Sequence, residues 1–369
     1  MAIKVAYLFG AGASEGELKL NGTSKSILME DIATEIAVKI RDAADRRFDE
    51  VSNDLIAGVN IEYLITLYEA SGTSLHNDIA KKLKTLFRQE IQDRINELGE
   101  SFKPTLLSAL IDMHEISELG EELVIVLTTN YEDLIEKAML SVKGGVNYLI
   151  RVISSAEYLK VMENSPPILK LHGSFNWKND DPILIQSNIS DEENVIWIPP
   201  GMVKRRQYYP FDLIWGKARE LLECDVLRIV GCSLSLSDWE LLSLLFTTQT
   251  RRTEVYQPYI IELIDYPEKC EQIKTEYSYL RNLKTILEIS EVQEFLVKTY
   301  LPQYIGQATI PFDKIDTVAK HLDNDSKINI FELWLRAKGE KLFDKGISIK
   351  TKGEYFEKFV LSGLGYGKE

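Results

Sequence analysis

Residues 122–140 read ELVIVLTTNYEDLIEKAML. Leu123, Val124, Ile125, Val126 and Leu127 are apolar without alternation, the pattern of a strand covered on both faces in a parallel sheet. The run stops at Thr128, Thr129 and Asn130, after which Leu134, Ile135 and Ala138 recur at helical spacing. Asn130 therefore stands at the carboxyl end of a buried strand, which is where open α/β sheets bind ligands. The competing use of the position is an N-cap, supplied by Asn130 or Tyr131, for the helix that follows.

Toward the N-terminus, residues 3–9 (IKVAYLF) repeat the pattern and run into Gly10, Ala11, Gly12, Ala13 and Ser14. Glycines here let a backbone approach a pyrophosphate, with amides and a helix start offering positive potential; a plain strand-to-helix turn uses them equally well. Between this turn and the strand that leads to Asn130 no strand pattern occurs. Ile27, Ile32, Ile36, Val38 and Ile40 lie in a first helical segment, and further helices are expected at 60–70, 75–98 and 105–118, the last opened by Pro104. An insertion of roughly ninety residues exceeds what a crossover needs and reads as a lid or an assembly surface. His76 and His114 within it lack acidic or cysteine neighbours at metal spacing, so both read as incidental.

Toward the C-terminus a strand is expected at 146–153 and a helix at 156–163, before ILKLHGSFNW at 168–177. Ile168, Leu169 and Leu171 form a short strand, and His172 and Gly173 follow it, on the sheet edge that carries Asn130. Both polar residues are expected at exposed strand ends. Histidine suits proton transfer near neutral pH, while a hydrogen-bonded structural histidine beside a glycine turn is the alternative. Trp177, Trp197 and PILIQSNISDEENVIWIPP (182–200) suggest a β excursion over the site. A helix over 211–223 leads to the strand from Asp225 to Val230, which ends in Gly231. Ser233, Ser235, Ser237 and Asp238 then offer hydroxyls and a carboxylate to a sugar, or cap the helix that begins at Trp239. Two further strand–helix units, 259–264 with 267–279 and 285–289 with 291–300, close the sheet.

The chain has 369 residues, 45% of them apolar, enough for one large α/β core with insertions. Lys plus Arg total 43 against 57 for Asp plus Glu, and the resulting charge of −14 opposes non-specific binding to nucleic acid or anionic membranes. Lys204, Arg205 and Arg206, like Arg251 and Arg252, are short basic runs and read as solvated faces. Cys224, Cys232 and Cys270 include no C-x-x-C pair, so neither a disulfide framework nor a zinc site is expected, and a reducing cytoplasm fits. Val5 to Phe9 is too short for a signal-peptide core, and no stretch is long enough to span a bilayer.

Taken in order, the Gly-x-Gly-x-Ser turn (Gly10, Gly12, Ser14), Thr-x-Asn (Thr128, Thr129, Asn130), Leu-His-Gly (Leu171, His172, Gly173) and Val-Gly-x-Ser-Leu (Val230 to Leu234) resemble the sirtuin-like NAD-binding fold. The resemblance covers most of residues 3–300 outside the helical insertion. It is nearest to the bacterial sirtuin-like proteins of anti-phage defence, including those paired with a HerA-type ATPase, which characteristically hydrolyse NAD instead of deacylating lysine. It implies an α/β fold with a Rossmann-like doubly wound parallel sheet, divided as 1–23 and 119–300 for the NAD-binding domain, 24–118 for the insertion and 301–369 for a C-terminal extension. NAD would be the substrate, with no metal.

The resemblance places Gly10, Ala11, Gly12 and Ser14 on the NAD phosphates and nearby ribose, with Thr129 and Glu132 in the same binding set. It gives Asn130 the nicotinamide ribose or the attacking water, makes His172 the base, and sets Gly231 and Ser233 toward the adenosine half. Family members usually carry Asp two residues after the asparagine, where this chain has Glu132, with Asp133 next. The Phe-Arg pair and four-cysteine zinc ribbon of deacylating sirtuins are absent from the sequence. The implied function is an NAD glycohydrolase acting in defence, homo-oligomeric through its insertion and partnered by a HerA-type ATPase, without direct contact to nucleic acid or membrane. An NAD-dependent lysine deacylase and an inactive NAD-sensing scaffold are the alternatives; the joint presence of Asn130 and His172 argues against the scaffold.

Overall fold

The computed structural model describes residues 2–288, except 21–22, 44, 100, 105, 113, 115–120, 150–152, 155–161, 179–194, 203, 205–206, 208, 222–223, 255–259, 266 and 281–282. Its centre is a six-stranded, wholly parallel sheet built from β1 (Ile3–Phe9), β2 (Glu121–Thr128), β4 (Ile168–Lys170), β7 (Val226–Val230), β8 (Ile260–Asp265) and β9 (Leu283–Glu288), in the order β4-β2-β1-β7-β8-β9. Counting only these strands, that is the Rossmann order, which reverses direction between β1 and β7. Val5, Ala6, Tyr7 and Phe9 of β1 are fully buried, as the unbroken apolar run requires of a central strand. The expected α/β Rossmann-like architecture is what the chain forms.

Helix α1 (Ala11–Leu20) follows β1 directly, and the insertion then contributes α2 (Met29–Asp42), α3 (Asp49–Ile56), α4 (Ile61–Ser71), α5 (Ser74–Asn96) and α6 (Leu106–Asp112). Local chemistry sets the α4–α5 hairpin. Asn60 accepts from the amides of Glu62 and Tyr63, Gly72 takes a left-handed φ of 67° at the end of α4, and Thr73 caps α5 through the His76 amide. The buried faces of these helices, such as Ile32, Ile36 and Ile40 of α2 and Leu83, Phe87 and Ile91 of α5, join the same hydrophobic core as the sheet. His76 bonds Ser71 Oγ, and His114 is buried against the Tyr7 hydroxyl at 3.0 Å.

Helix α7 (Leu134–Lys143) follows β2, α8 (Phe211–Leu221) precedes β7, α9 (Trp239–Glu254) follows a 3-10 turn at Leu236–Asp238, and α10 (Pro267–Glu276) links β8 to β9. A second, antiparallel sheet of β3 (Ile153–Ser154), β5 (Gly173–Lys178) and β6 (Val195–Trp197) is the expected β excursion. One expectation needs correction. Of the strand expected at 146–153, Val146 makes a single bridge, 147–149 are loop, where Asn147 donates to the carbonyls of Glu163 and Ser165, and Ile153 opens the two-residue β3; 150–152 lie outside the described residues. The helix anticipated at 105–118 is described over Leu106–Asp112. The helices expected at 156–163 and 291–300 and the extension 301–369 lie outside the described residues, apart from the last two positions of the first. Among the described residues no helix is long and apolar enough to cross a membrane.

Candidate active site

At the reversal of strand order the β1–α1 turn meets the end of β7 backbone to backbone. Gly10 N–H donates to Val230 O at 3.0 Å and Gly12 N–H to Gly231 O at 2.8 Å. A Cβ on Gly10 would lie 2.6 Å from Cys232 Cα, and one on Gly231 would lie 2.1 Å from Ala13 N, with φ of Gly231 already at +56°. The three glycines thus permit two chain segments to touch. Their amides bind protein, so a ligand at this crevice meets the Cα surface of the turn, the exposed Ala11 and the start of α1. Ser233 is exposed beyond Gly231, and Thr129 is half-buried, its amide held by Phe9 O at 3.2 Å.

Asn130 does not cap α7. The residue before that helix is Asp133, which makes no side-chain capping bond, and the Asn130 amide turns back toward the glycine turn. Its Nδ2 donates to Gly10 O at 3.0 Å, Ser14 Oγ at 2.9 Å and Glu132 Oε1 at 3.2 Å, which leaves Oδ1 without a protein donor among the described residues. Ser14 in turn donates to Glu132 Oε1. Burial raises the Glu132 carboxyl above its usual value, with Lys170 and Ser14 opposing. Lys170, wholly buried in β4, donates to Glu132 O and to Glu136 Oε1, the latter at 2.8 Å, and so fixes the loop that carries Asn130.

Strand register brings His172 beside Asn130. Thr128 of β2 pairs with Lys170 of β4, and each site residue lies two positions beyond its paired strand residue. Neither is exposed as expected: Asn130 is 7% and His172 3% accessible. Tyr131 supplies part of the cover, stacking on Phe175 at 5.1 Å and lying 6.2 Å from the His172 ring, with its hydroxyl on Ile198 O at 3.0 Å.

The remaining charged groups come from elsewhere in the chain. Asp238 Oδ1 faces His172 Nε2 at 3.2 Å, and Lys204 Nζ lies 3.5 Å from the same oxygen and 2.8 Å from Glu62 Oε1 of α4. Burial alone would raise the Asp238 carboxyl, but His172 and Lys204 outweigh it and hold the group well below the usual carboxylate range. Burial likewise works against the Lys204 charge, and Asp238 and Glu62 raise its pKa above the ordinary lysine value. Lys204 is therefore a buried ion-pair partner, correcting its reading as part of a solvated basic run. Asp238 carried a sequence signal as the carboxylate of the strand-end cluster; Glu62, one acidic residue on an amphipathic helix, carried none. Ser235 does cap, accepting from the Ser237 amide at 3.2 Å. Among the described residues no group of three or more His, Cys, Asp or Glu is placed to hold a metal ion.

Residues 124–284 match the family of SIR2-like domains. Among solved structures the chain is similar to one addressing the mechanism and regulation of Sir2 enzymes (TM-score 0.32, 15% identity, covering 72% of this chain and 80% of that one). It is similar also to a Sir2 homologue in complex with ADP-ribose (TM-score 0.33, 15% identity, 72% and 80% covered) and to a sirtuin studied for substrate affinity (TM-score 0.31, 15% identity, 78% and 91% covered). No curated protein sequence matches the chain. The segment matched by the SIR2-like family carries Asn130, His172, Gly231 and Asp238.

Proposed function

We propose that this protein is an NAD glycohydrolase that cleaves the bond between nicotinamide and ribose. The observation that carries the reading is the pairing of Asn130, with a free amide oxygen, and His172 at adjacent strand ends beside the glycine crevice of a SIR2-like domain. The dinucleotide would cross the sheet edge at the β1–β7 reversal, its phosphates over Gly10, Ala11, Gly12 and Ser14 and its adenosine half toward Gly231 and Ser233. Thr129 and Glu132 would border the nicotinamide ribose.

In the reaction the ribose C1′–N bond breaks with its electron pair going to nicotinamide, which departs neutral and leaves an oxocarbenium-like sugar. Water forms the new C1′–O bond. Asn130 Oδ1 accepts one hydrogen bond from that water or from the ribose, and His172 takes the water's proton. The aromatic cover of Tyr131, Phe175 and Trp197 limits competing acceptors. Following nicotinamide release from NAD by the purified protein, alone and with the HerA-type ATPase, tests the proposal; no release in either case would refute it. The same assay with an acetylated peptide discriminates a lysine deacylase, which would release nicotinamide only when the peptide is present.

In the cell the reading extends to depletion of NAD in the cytoplasm during anti-phage defence, by a homo-oligomer under the control of a HerA-type ATPase that makes the DNA contacts. It is motivated by the sequence resemblance and by apolar side chains that the insertion leaves exposed, among them Val38, Tyr63 and Leu67. Light scattering on the purified chain, then NAD turnover with and without the ATPase, addresses it. A monomer whose turnover is high alone and unchanged by the ATPase would defeat it.

A further inference from the structure

The β7–α9 loop begins at Gly231, and Asp238 near its end reaches the histidine that follows β4. The two strands are three sheet positions apart, about 14 Å at ordinary strand spacing, so this loop lies across the carboxyl edge of the sheet. Asp238 accepts from none of the amides of the helix it precedes, and His172 Nε2, which faces it, has no aligned hydrogen bond to any described group. The groups facing the His172 ring are Asp238, Lys204 behind that carboxylate, and Tyr131. Lys204 is itself set from the insertion: Glu62 accepts from its Nζ, and Thr66 Oγ1, one turn along α4, accepts from the Met202 amide at 2.7 Å.

We propose that Asp238 is the positioning residue for His172, and that Lys204, anchored by Glu62 of the helical insertion, holds the Asp238 carboxylate against the imidazole. This deepens the glycohydrolase reading and rests on it. With Nε2 facing the carboxylate, Nδ1 becomes the nitrogen that takes the water's proton. The carboxylate fixes the ring and stabilises the imidazolium once it forms, while itself remaining ionised. The packing of α4 thereby bears on the base through two ion-pair steps, joining the insertion to the chemistry.

The test uses the full chain with ¹⁵N-labelled histidine. The four imidazoles are followed by NMR across pH, with His172 identified by its loss in H172Q. In D238N the His172 ring signals should lose the preference for the Nε2–H tautomer, because the ionised acceptor facing that nitrogen has been removed. His76 and His114 should not move. In steady state kcat for NAD should drop about 10- to 100-fold with KM little changed, and the acidic limb of the pH–rate profile should shift to lower pH. D238E should recover part of both effects, and E62Q should lower kcat several-fold. Should D238N fail to fold, Asp238→Ser replaces it. An unchanged His172 tautomer, or a loss confined to KM, overturns the proposal. A changed tautomer in a protein whose wild type releases no nicotinamide supports the coupling and overturns the NAD reading instead.

Discussion

Arg228 and His172 are both buried polar residues on sheet strands or just beyond them, but the protein treats them differently. Arg228 sits mid-strand in β7, in register with Tyr7 on one side and Glu262 on the other. Each guanidinium nitrogen has a partner: Nε on Glu262 at 2.8 Å, Nη1 on Tyr7 at 3.1 Å and Glu121 at 3.0 Å, Nη2 on Glu121 at 2.9 Å. Burial alone would lower the Arg228 pKa, but Tyr7, Glu121 and Glu262 raise it well above the ordinary value. At the carboxyl edge, by contrast, Nε2 of His172 and Oδ1 of Asp238 face each other without an aligned hydrogen bond, and Asn130 keeps an unused acceptor. A network that protein groups complete serves the fold, and one left short of partners is available to a ligand.

The sharpest way to break this contrast is to truncate the edge residues. H172A and N130A are expected to lower kcat for nicotinamide release by about two to four powers of ten while costing less than about 2 kcal/mol of stability. Circular dichroism and urea unfolding alongside the assay check both halves; a variant that folds and retains wild-type turnover removes its residue from the site. The converse experiment is R228M, which leaves Glu121 and Glu262 buried without their counter-charge. Urea unfolding should report a loss of about 3–5 kcal/mol, and an unchanged midpoint would mean that the central network is dispensable.

Gly231 lies where the two regions meet. G231A must hold a left-handed φ and push a methyl into the β1–α1 turn, at a cost of about 1–3 kcal/mol with weakened NAD binding, readable by unfolding and by calorimetric titration. Wild-type stability and affinity would show that the turn yields.

The smallest effect concerns Glu132. A carboxyl raised in the folded state binds more protons there, so its contribution to stability is present below the unfolded value and is lost as pH rises through the folded one. E132Q lacks that decline. It is expected to be more stable than wild type at pH 8 by up to about 1 kcal/mol, nearly equal to it at pH 4, and slower in turnover. Destabilisation at pH 8 would place Glu132 with the fold-supporting network.

Much of this was legible in the sequence because buried parallel strands announce themselves as unbroken apolar runs, and strand ends are where β2, β4 and β7 deliver Asn130, His172 and Gly231. The start of the strand expected at 146–153 misled for the same reason: Val146, Tyr148 and Leu149 are apolar, but they lie in a loop that buries the first two and exposes Leu149. Burial of the site residues was not legible, since the cover comes from Phe175 and Trp197 of the second sheet. Nor was the role of Lys204, because a lysine beside two arginines looks solvated until Glu62, 142 residues away, is brought against it. Contacts between distant segments leave no periodicity in either one.

The pairing of β1 with β7 also orders events during synthesis. The Lys4 amide donates to the Asp225 carboxylate across 221 residues of sequence, so at about 5–20 residues per second β1 waits roughly ten to forty seconds for its neighbour to leave the ribosome. Late in that interval the nascent chain contains Asn130 and His172 but neither Gly231 nor Asp238. The crevice wall and the carboxylate opposite the histidine arrive together, late, on one short loop. On the proposed reading, a chain truncated before that loop lacks both the crevice wall and the carboxylate and is expected to release no nicotinamide.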